Sequence, residues 1–431
     1  MRKDHVRQML RYRWAIFGIL ALAYLFVYFH RLSLSVVAND LVRDFNTSAS
    51  VMGLLGSIYF YCYAAMQFPA GLLADSIGPR KTVAAFLLIA SVGSILFGLA
   101  PNLTVAFAGR VLVGFGVSMV FIPTMKILSQ WFRPREFASM AGILNAVGGA
   151  GVLAATWLLA LMTATLGWRL SFQLIGGLTF AIVALAWIVV RDRPQDRGWP
   201  SIFEIDRDTG GSPPAPQTIS LMDGARRVVS EKYFWPVAIW FFCDCGIFFG
   251  FGALWGGPYL MHVYGLSRAE AGTILSMIAW GMIVGSPLLG FVSDKILKSR
   301  KKPILICTAV LTVELGLMTF FPEKLPLPML YVIFFVLSVC ASSVVVLGFT
   351  TTKELFPVEI AGTSVGTVNL FPFLGGAVFM PLLGKILDGY PKTATGGTVV
   401  EGYTALLLAL LVASAIALCC AVLMKETFQK K

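Results

Sequence analysis

The stretch GLLADSIGPRK, residues 71–81, closes one long apolar run and opens the next. A second stretch, GFVSDKILKSRKK at 290–302, does the same much further along the chain. Each places a glycine four residues before an aspartate and follows it with basic residues. The first copy has Gly71, Asp75, Gly78, Arg80 and Lys81; the second has Gly290, Asp294, Lys298, Arg300 and Lys301. One helix end carrying an aspartate and an arginine merely follows the charge bias of membrane loops. Two copies in register signal a duplicated chain. The glycine permits close helix contact. The aspartate at a helix end can pair with a basic group or a helix N-terminus in one conformation and lose that partner in another.

The surroundings of both stretches are lipid-like. The chain has 431 residues, 57% hydrophobic and 13% charged, where a soluble domain carries about 25% charged residues. Its mean hydropathy is +0.80. A spanning helix needs about 20 apolar residues. Runs of that kind lie near 14–37, 51–74, 82–100, 104–130, 138–163 and 168–190, then near 233–260, 269–293, 303–322, 328–351, 361–386 and 403–424. The expected fold is an all-α polytopic membrane protein, with twelve transmembrane helices in two pseudo-symmetric six-helix bundles. The expected domains are 1–190, a cytoplasmic linker at 191–232, and 233–431. The linker opens with a polar Pro/Gly stretch, and its second part, ISLMDGARRVVSEKYF, suits a short amphipathic helix on the membrane face.

Lysine and arginine placement sets the orientation. With the N-terminus inside, the inner side receives Arg2, Lys3, Arg7, Arg11, Arg13, Arg80, Lys81, Arg133, Arg135, the linker arginines and the cluster from Lys295 to Lys302. The outer side receives little beyond Arg43, Arg169, Arg268, Lys324 and Lys392. Both termini are therefore expected in the cytoplasm of a cell whose cytoplasmic membrane holds the chain. The net charge of +12 is mostly this bias and gives no concentrated patch for nucleic acid. The first apolar run is too long for a signal peptide, and no cleavage site follows it. The seven cysteines fall inside spans, without metal or disulfide spacing, and read as packing residues. No metal or cofactor is expected.

The repeated loop pattern resembles that of the major facilitator superfamily, as does the layout of six spans, a central loop and six more. Arg110-x-x-x-Gly114 in span 4 is similar to that family's second motif. Such a fold implies a secondary transporter, with Gly71, Asp75, Arg80, Lys81, Arg110 and Asp294 in conformational gating. Several stretches of the first half look like the anion/cation symporter branch: YCYAAMQFPAGLLADSIGPRK, FHRLSLSVVANDL, WFRPREFASMAG and GWRLSF. The piece PQDRGWP is similar to the central loop of the organophosphate antiporters.

The sequence FHRLSLS puts Arg31 deep in span 1, where a charge on insertion scales costs about 2.5–3.5 kcal/mol. In the anion-carrier pattern an arginine here faces the cavity and binds a carboxylate or phosphate. The physics agrees, because a guanidinium at depth must meet water or a counterion, and its planar fork suits an oxyanion. The other reading is an outer-end arginine reaching toward headgroups or pairing with Asp40 or Asp44. The branch usually has an acid before this arginine and a glutamate in helix 4; this chain has His30 and VGFGVSMVF. Its intramembrane acids are instead Asp244 in span 7 and Glu314 in span 9. A buried carboxyl can carry a proton, so Asp244 is the first coupling candidate and His30 the second. Asp244 also fits a structural partner for Arg31 or Lys126, and His30 fits simple packing. Span 7 lacks the second arginine that organophosphate antiporters use, which favours a monoanion or zwitterion over a phosphate ester. Tyr63 and Gln67 share a helix face and are substrate candidates. Lys126, Asn145, Trp255, Asn369 and Phe373 are further candidates, with core packing as the alternative.

These features point to a monomeric transporter of a small organic anion or zwitterion, driven by protons. No GxxxxGK[ST] loop is present to bind ATP. A drug exporter of the same fold would favour a GPxxGG-like helix 5, and AVGGAGVLAATW has no proline. A nontransporting membrane sensor is the other alternative. Only His5, His30 and His262 are present, without catalytic neighbours, so no enzyme is expected.

Overall fold

The computed structural model describes residues 2–207, 221–357, 360–393 and 397–428, with the side chains at 2–5, 68, 70–72, 74–75, 134–135, 138–139, 203, 206–207, 221–223 and 361 excepted. Among the described residues, eleven apolar helical stretches are long enough to cross a membrane. One of them, Met140–Val189, has 50 residues. At 1.5 Å per residue it is about 75 Å long, twice what a bilayer requires. It breaks at Gly167, whose φ of 74° and ψ of 163° suit a residue without a Cβ. Counted as two, it completes the expected twelve.

The membrane helices are α1 (Arg2–Leu32, resumed as Leu34–Asp44), α2 (Ala49–Ser76), α3 (Pro79–Leu99) and α4 (Leu103–Ser118, resumed as Phe121–Trp131). Then come α5 (Pro134–Leu153, a π-helical turn at Ala154–Leu158, and on to Gly167) and α6 (168–189). The second half has α7 (Phe234–Ile247, a π-helical turn at Phe248–Trp255, then Gly256–Val263) and α8 (Arg268–Leu275, Met277–Phe291, a π turn at Val292–Leu297). It ends with α9 (Lys301–Phe320), α10 (Leu327–Ser338, a π turn at Val339–Ser343, then Val345–Leu355), α11 (Ala361–Val368, resumed as Leu370–Asp388) and α12 (Val400–Leu423). Local chemistry sets several starts. Pro79 opens α3 behind Gly78, Asn102 caps α4 through Val105 N at 3.0 Å, and Ser267 with Glu270 forms a capping box on α8.

Helices α1, α4, α5, α7, α8, α10 and α11 are interrupted, whereas α3, α6, α9 and α12 run without a break. The unbroken set shows apolar side chains outward, as with Leu174 and Leu178 on α6, Val313 on α9 and Val412 on α12. Those helices meet lipid. In contrast α7 is nearly all buried: 89% of its apolar window lies inside the protein. Non-helical backbone at membrane depth is tolerated where protein surrounds it, as it surrounds the π turn of α7.

Two compact units result. The first contains residues 1–29, 65–151 and 169–217. In it the central loop is no loose tether: Arg197 lies 4.1 Å over the Tyr12 ring, and Trp199 meets Tyr12 edge-on at 5.4 Å. Trp131 Nε1 donates to the Arg191 carbonyl at 2.9 Å. A polar linker was expected from 191 onward, but two aromatic rings and a guanidinium fasten its first part to α1 and α4.

The second unit contains residues 30–64, 152–168 and 218–431. Within it, helices from both halves approach to backbone contact. A Cβ added at Gly53 of α2 would lie 2.4 Å from the Met380 carbonyl oxygen of α11. One at Gly257 of α7 would lie 2.0 Å from the Ser35 carbonyl oxygen of α1. Gly272 of α8 packs in the same way on Ala160 of α5. The pairs α2 with α11 and α8 with α5 exchange under the twofold relation of the halves. Polar contacts bind the same end: Asp388 accepts from Ala49 N at 2.7 Å and Ser50 N at 2.8 Å, and Arg268 pairs with Asp40 at 2.6 Å. The amphipathic helix expected after the linker is present at Leu221–Ser230, with Val228 buried and Arg226 and Arg227 exposed.

Candidate functional site

His30 and Arg31 occupy the last turn before α1 is interrupted at Ser33. Ser33 Oγ donates to the His30 carbonyl at 3.3 Å and Ser35 Oγ to the Leu32 carbonyl at 2.9 Å. The interruption thus brings its own hydrogen bonds, which a helix break in lipid requires. Arg31 is 7% exposed. Its guanidinium carbon lies 5.1 Å over the Tyr63 ring, 5.3 Å over Phe373 and 5.7 Å over Phe249. Tyr63 and Phe373 are stacked on each other at 4.3 Å. The rings come from α2, the π turn of α7 and α11, so both halves enclose the one cation. Each such contact contributes about 0.5–2 kcal/mol, more when dry. The two carboxylates offered as alternative partners are engaged with other groups. Asp40 holds Arg268 and, at 3.3 Å, Arg43; Asp44 accepts from Trp168 Nε1 at 2.9 Å.

His30 is fully buried. Asp244 is fully buried in α7, one turn before the π turn that carries Phe249, and neither of its oxygens accepts a hydrogen bond from the described residues. Its neighbour Cys245 lies within electrostatic reach of Arg31. Glu314 in α9 is buried, and neither of its oxygens has a hydrogen-bond partner among the described residues. Trp255 directs its ring nitrogen to the Met380 carbonyl at 3.0 Å, binding α7 to α11. Asn369 is half-buried at the interruption of α11.

The remaining candidates belong to the first unit. Gln67, Lys126 and Asn145 are half-buried, and Arg110 is 1% exposed in α4. Arg80 donates to the Trp187 carbonyl, lies 4.7 Å over the Trp187 ring, and its backbone N donates to Asp192 at 2.6 Å. Lys81 is exposed. The side chains of Gly71 and Asp75 lie outside the described residues. In the second copy Asp294 pairs with Arg300, which also holds Glu354 at 3.0 Å. The close contact expected of Gly290 is not made: a Cβ there would meet nothing within 4 Å. The aspartate of this copy turns to its own loop, which leaves the glycine face open.

Phe249 was absent from the sequence reading. The available signal was FFGFG at 248–252, one turn after Asp244, where glycines space the aromatic residues.

Residues 20–256 and 241–430 match the model of the Major Facilitator Superfamily. The chain belongs to the major facilitator superfamily. Among superfamily relatives, the membrane sensor protein UhpC of Escherichia coli (strain K12) is 25% identical over 380 residues, covering 85% of this chain and 84% of that one. The probable sulfoacetate transporter SauU of Cupriavidus necator is 25% identical over 394 residues, covering 91% and 90%. The fold is that of a bacterial homolog to human lysosomal transporter Spinster, with a TM-score of 0.78 at 18% identity over 96% of this chain and 98% of that chain. These findings agree with an all-helical, multi-pass membrane protein of the transporter superfamily and with the resemblance to organic-anion carriers.

Proposed function

We propose that this superfamily member is a secondary transporter, moving a small organic anion or zwitterion across the cytoplasmic membrane by alternating access. The observation that carries the reading is Arg31, a permanent charge enclosed by Tyr63, Phe249 and Phe373 from both halves. A guanidinium so placed binds a carboxylate through its fork, while the rings exclude water and strengthen the pairing. Contacts from both halves allow the ligand to influence which end of the protein opens. Asn369 is the polar group of the same unit as Arg31 proposed to contact the substrate; Gln67, Lys126 and Asn145 are separate substrate candidates of the first unit. The termini lie in the cytoplasm, so the end bound by Asp388 and Arg268 is the outer gate. The monomer is the transporting unit, and protons supply the drive through Asp244, with His30 as the second candidate.

The test is transport by purified protein in proteoliposomes. Arg31→Ala and Arg31→Lys should each lower uptake at least about a hundredfold at normal expression, since lysine keeps the charge and loses the fork. Wild-type uptake by Arg31→Ala would overturn the anion site.

A second reading, a nontransporting solute sensor, is favoured by one observation: the relative UhpC is described as a membrane sensor protein. Binding without counterflow in the same vesicles would select it.

A further inference from the structure

We infer that the rim where α7 begins and α12 ends holds an anionic phospholipid, with Lys232 and Lys425 on its headgroup phosphate. From the proposed function the inference takes only the cytoplasmic placement of this end; it is independent of the anion site at Arg31. Helices α7 and α12 pack side by side. Lys232 stands just before the first turn of α7, and Lys425 just after the last turn of α12. Their ammonium groups lie 5.0 Å and 5.2 Å from the centre of one ring, that of the half-buried Tyr233. The two charges are therefore no more than about 10 Å apart, about the reach of a charge in physiological salt. One phosphate can sit near both. Neither lysine is in an ion pair among the described residues. The neighbouring acids face other donors: Glu231 accepts from Tyr233 N at 3.3 Å, and Glu426 from Arg300 N at 2.9 Å.

The surroundings suit a lipid and not a free anion. Next to the lysines, α7 shows Trp235 and Ile239 outward, and α12 shows Val422 and Leu423. These side chains offer a wall to acyl chains. Trp235 directs its ring nitrogen to the Val229 carbonyl at 2.9 Å, which fastens the surface helix Leu221–Ser230 to α7. An indole with an exposed apolar body and a bonded nitrogen belongs at headgroup depth. The surface helix carries Arg226 and Arg227 at the same end, both exposed. From α9, Lys301 donates to the Val422 carbonyl at 2.6 Å, so a further cation borders the end of α12. A basic side chain at an anionic leaflet gains about fivefold in affinity. The charge bias of membrane loops alone would spread that gain over every inner loop. Here two cations converge on one ring beside an outward apolar seam.

Native mass spectrometry of the full chain, titrated in detergent, measures lipid binding directly. The probes are phosphatidylglycerol, phosphatidylcholine and inorganic phosphate. One variant pairs Lys232→Gln with Lys425→Gln, and a second pairs Lys232→Arg with Lys425→Arg. A third removes two exposed charges from the loop after α8, Lys295→Gln with Lys298→Gln. Wild type should bind phosphatidylglycerol at least about tenfold more tightly than phosphatidylcholine. The glutamine pair at 232 and 425 should weaken phosphatidylglycerol about twentyfold, about fivefold for each charge. The arginine pair and the pair at 295 and 298 should stay within about twofold of wild type. Equal melting temperatures without lipid keep a folding defect apart from lost binding. Equal affinity of wild type for the two lipids overturns the proposal. So does full phosphatidylglycerol binding by the glutamine pair at 232 and 425. An equal loss in the pair at 295 and 298 would assign the effect to general charge and overturn the site. Displacement of the lipid by inorganic phosphate would make the lysines a free-anion site and overturn the lipid. None of these outcomes bears on Arg31, whose test is transport.

Discussion

Arg31 and Asp244 are opposite answers to the same problem of placing a charged group where water is scarce. Arg31 cannot give up its proton and is surrounded by ring faces. Asp244 has no hydrogen-bond donor among the described residues, and an unpaired carboxylate at that depth is far less stable than the neutral acid. Glu314 has the same surroundings but sits on α9, an unbroken lipid-side helix. Asp244 sits on α7, one turn before the ring that touches Arg31. Asp244→Asn should therefore abolish uphill accumulation and preserve substrate counterflow, since exchange needs no net proton movement. Glu314→Gln should change neither. Accumulation and counterflow in proteoliposomes with an imposed pH gradient measure both. If Asp244→Asn still accumulates substrate and His30→Gln does not, the proton carrier is on α1. The depth of Arg31 and Asp244 was readable from hydropathy alone. What surrounds them was not, because Tyr63, Phe249 and Phe373 lie far apart in the chain.

Between helices, the close contacts at one end are made by glycines and a carboxylate. Asp388 caps the start of α2 from the end of α11 with two backbone donors. Removing such a cap costs about 1 kcal/mol, which is about fivefold in the ratio of closed to open states. Asp388→Ala should widen the distance distribution between spin labels at the start of α2 and the end of α11, with the fold intact. Gly257→Leu is harsher, because its side chain would overlap the Ser35 carbonyl. It should hold this end open and stop transport while ligand still binds. An unchanged distance distribution in both variants would refute the gate. The sequence placed every span but the first within a few residues, the first helix starting at Arg2 and not near residue 14, and did not show the interruptions. A π turn needs one extra residue in a helix, and no residue type announces it.

Across the whole molecule, the second copy of the duplicated loop is tied into a network of charges. Arg300 joins Asp294 to Glu354, and its backbone N donates to Glu426 at 2.9 Å, so α8, α9, α10 and the chain end share one network. Burial opposes the Arg300 charge, but Glu354 and Asp294 outweigh it and raise its pKa. Burial also opposes the charge on Glu426, yet Ser299 and the Arg300 backbone hold it below the usual carboxylate range. A depressed carboxylate contributes stability above its ordinary pKa and loses it only as pH falls through the lower folded value. Arg300 and Glu426 therefore stay ionised at neutral and mildly acid pH, and a transport optimum in that window would reflect another group. Asp294→Asn should slow cycling several-fold with equilibrium affinity unchanged, and Asp75→Asn should do so more strongly. Stopped-flow cycling rates against binding isotherms separate the two effects; a loss of affinity at unchanged rate would contradict the gating role.

Hydropathy, the break at 191 and the paired loop signatures by themselves determined the number of spans, the duplication and the superfamily. Those properties are local, because in lipid each helix must satisfy its own backbone and each run must be long enough to cross. Tertiary structure alone decided that Gly53 and Gly257 lie against carbonyls of the other half, that the first part of the linker is fastened to α1 and α4, and that Arg31 is held by three rings. Such encounters depend on how helices from distant parts of the chain pack, and no single span encodes its neighbour.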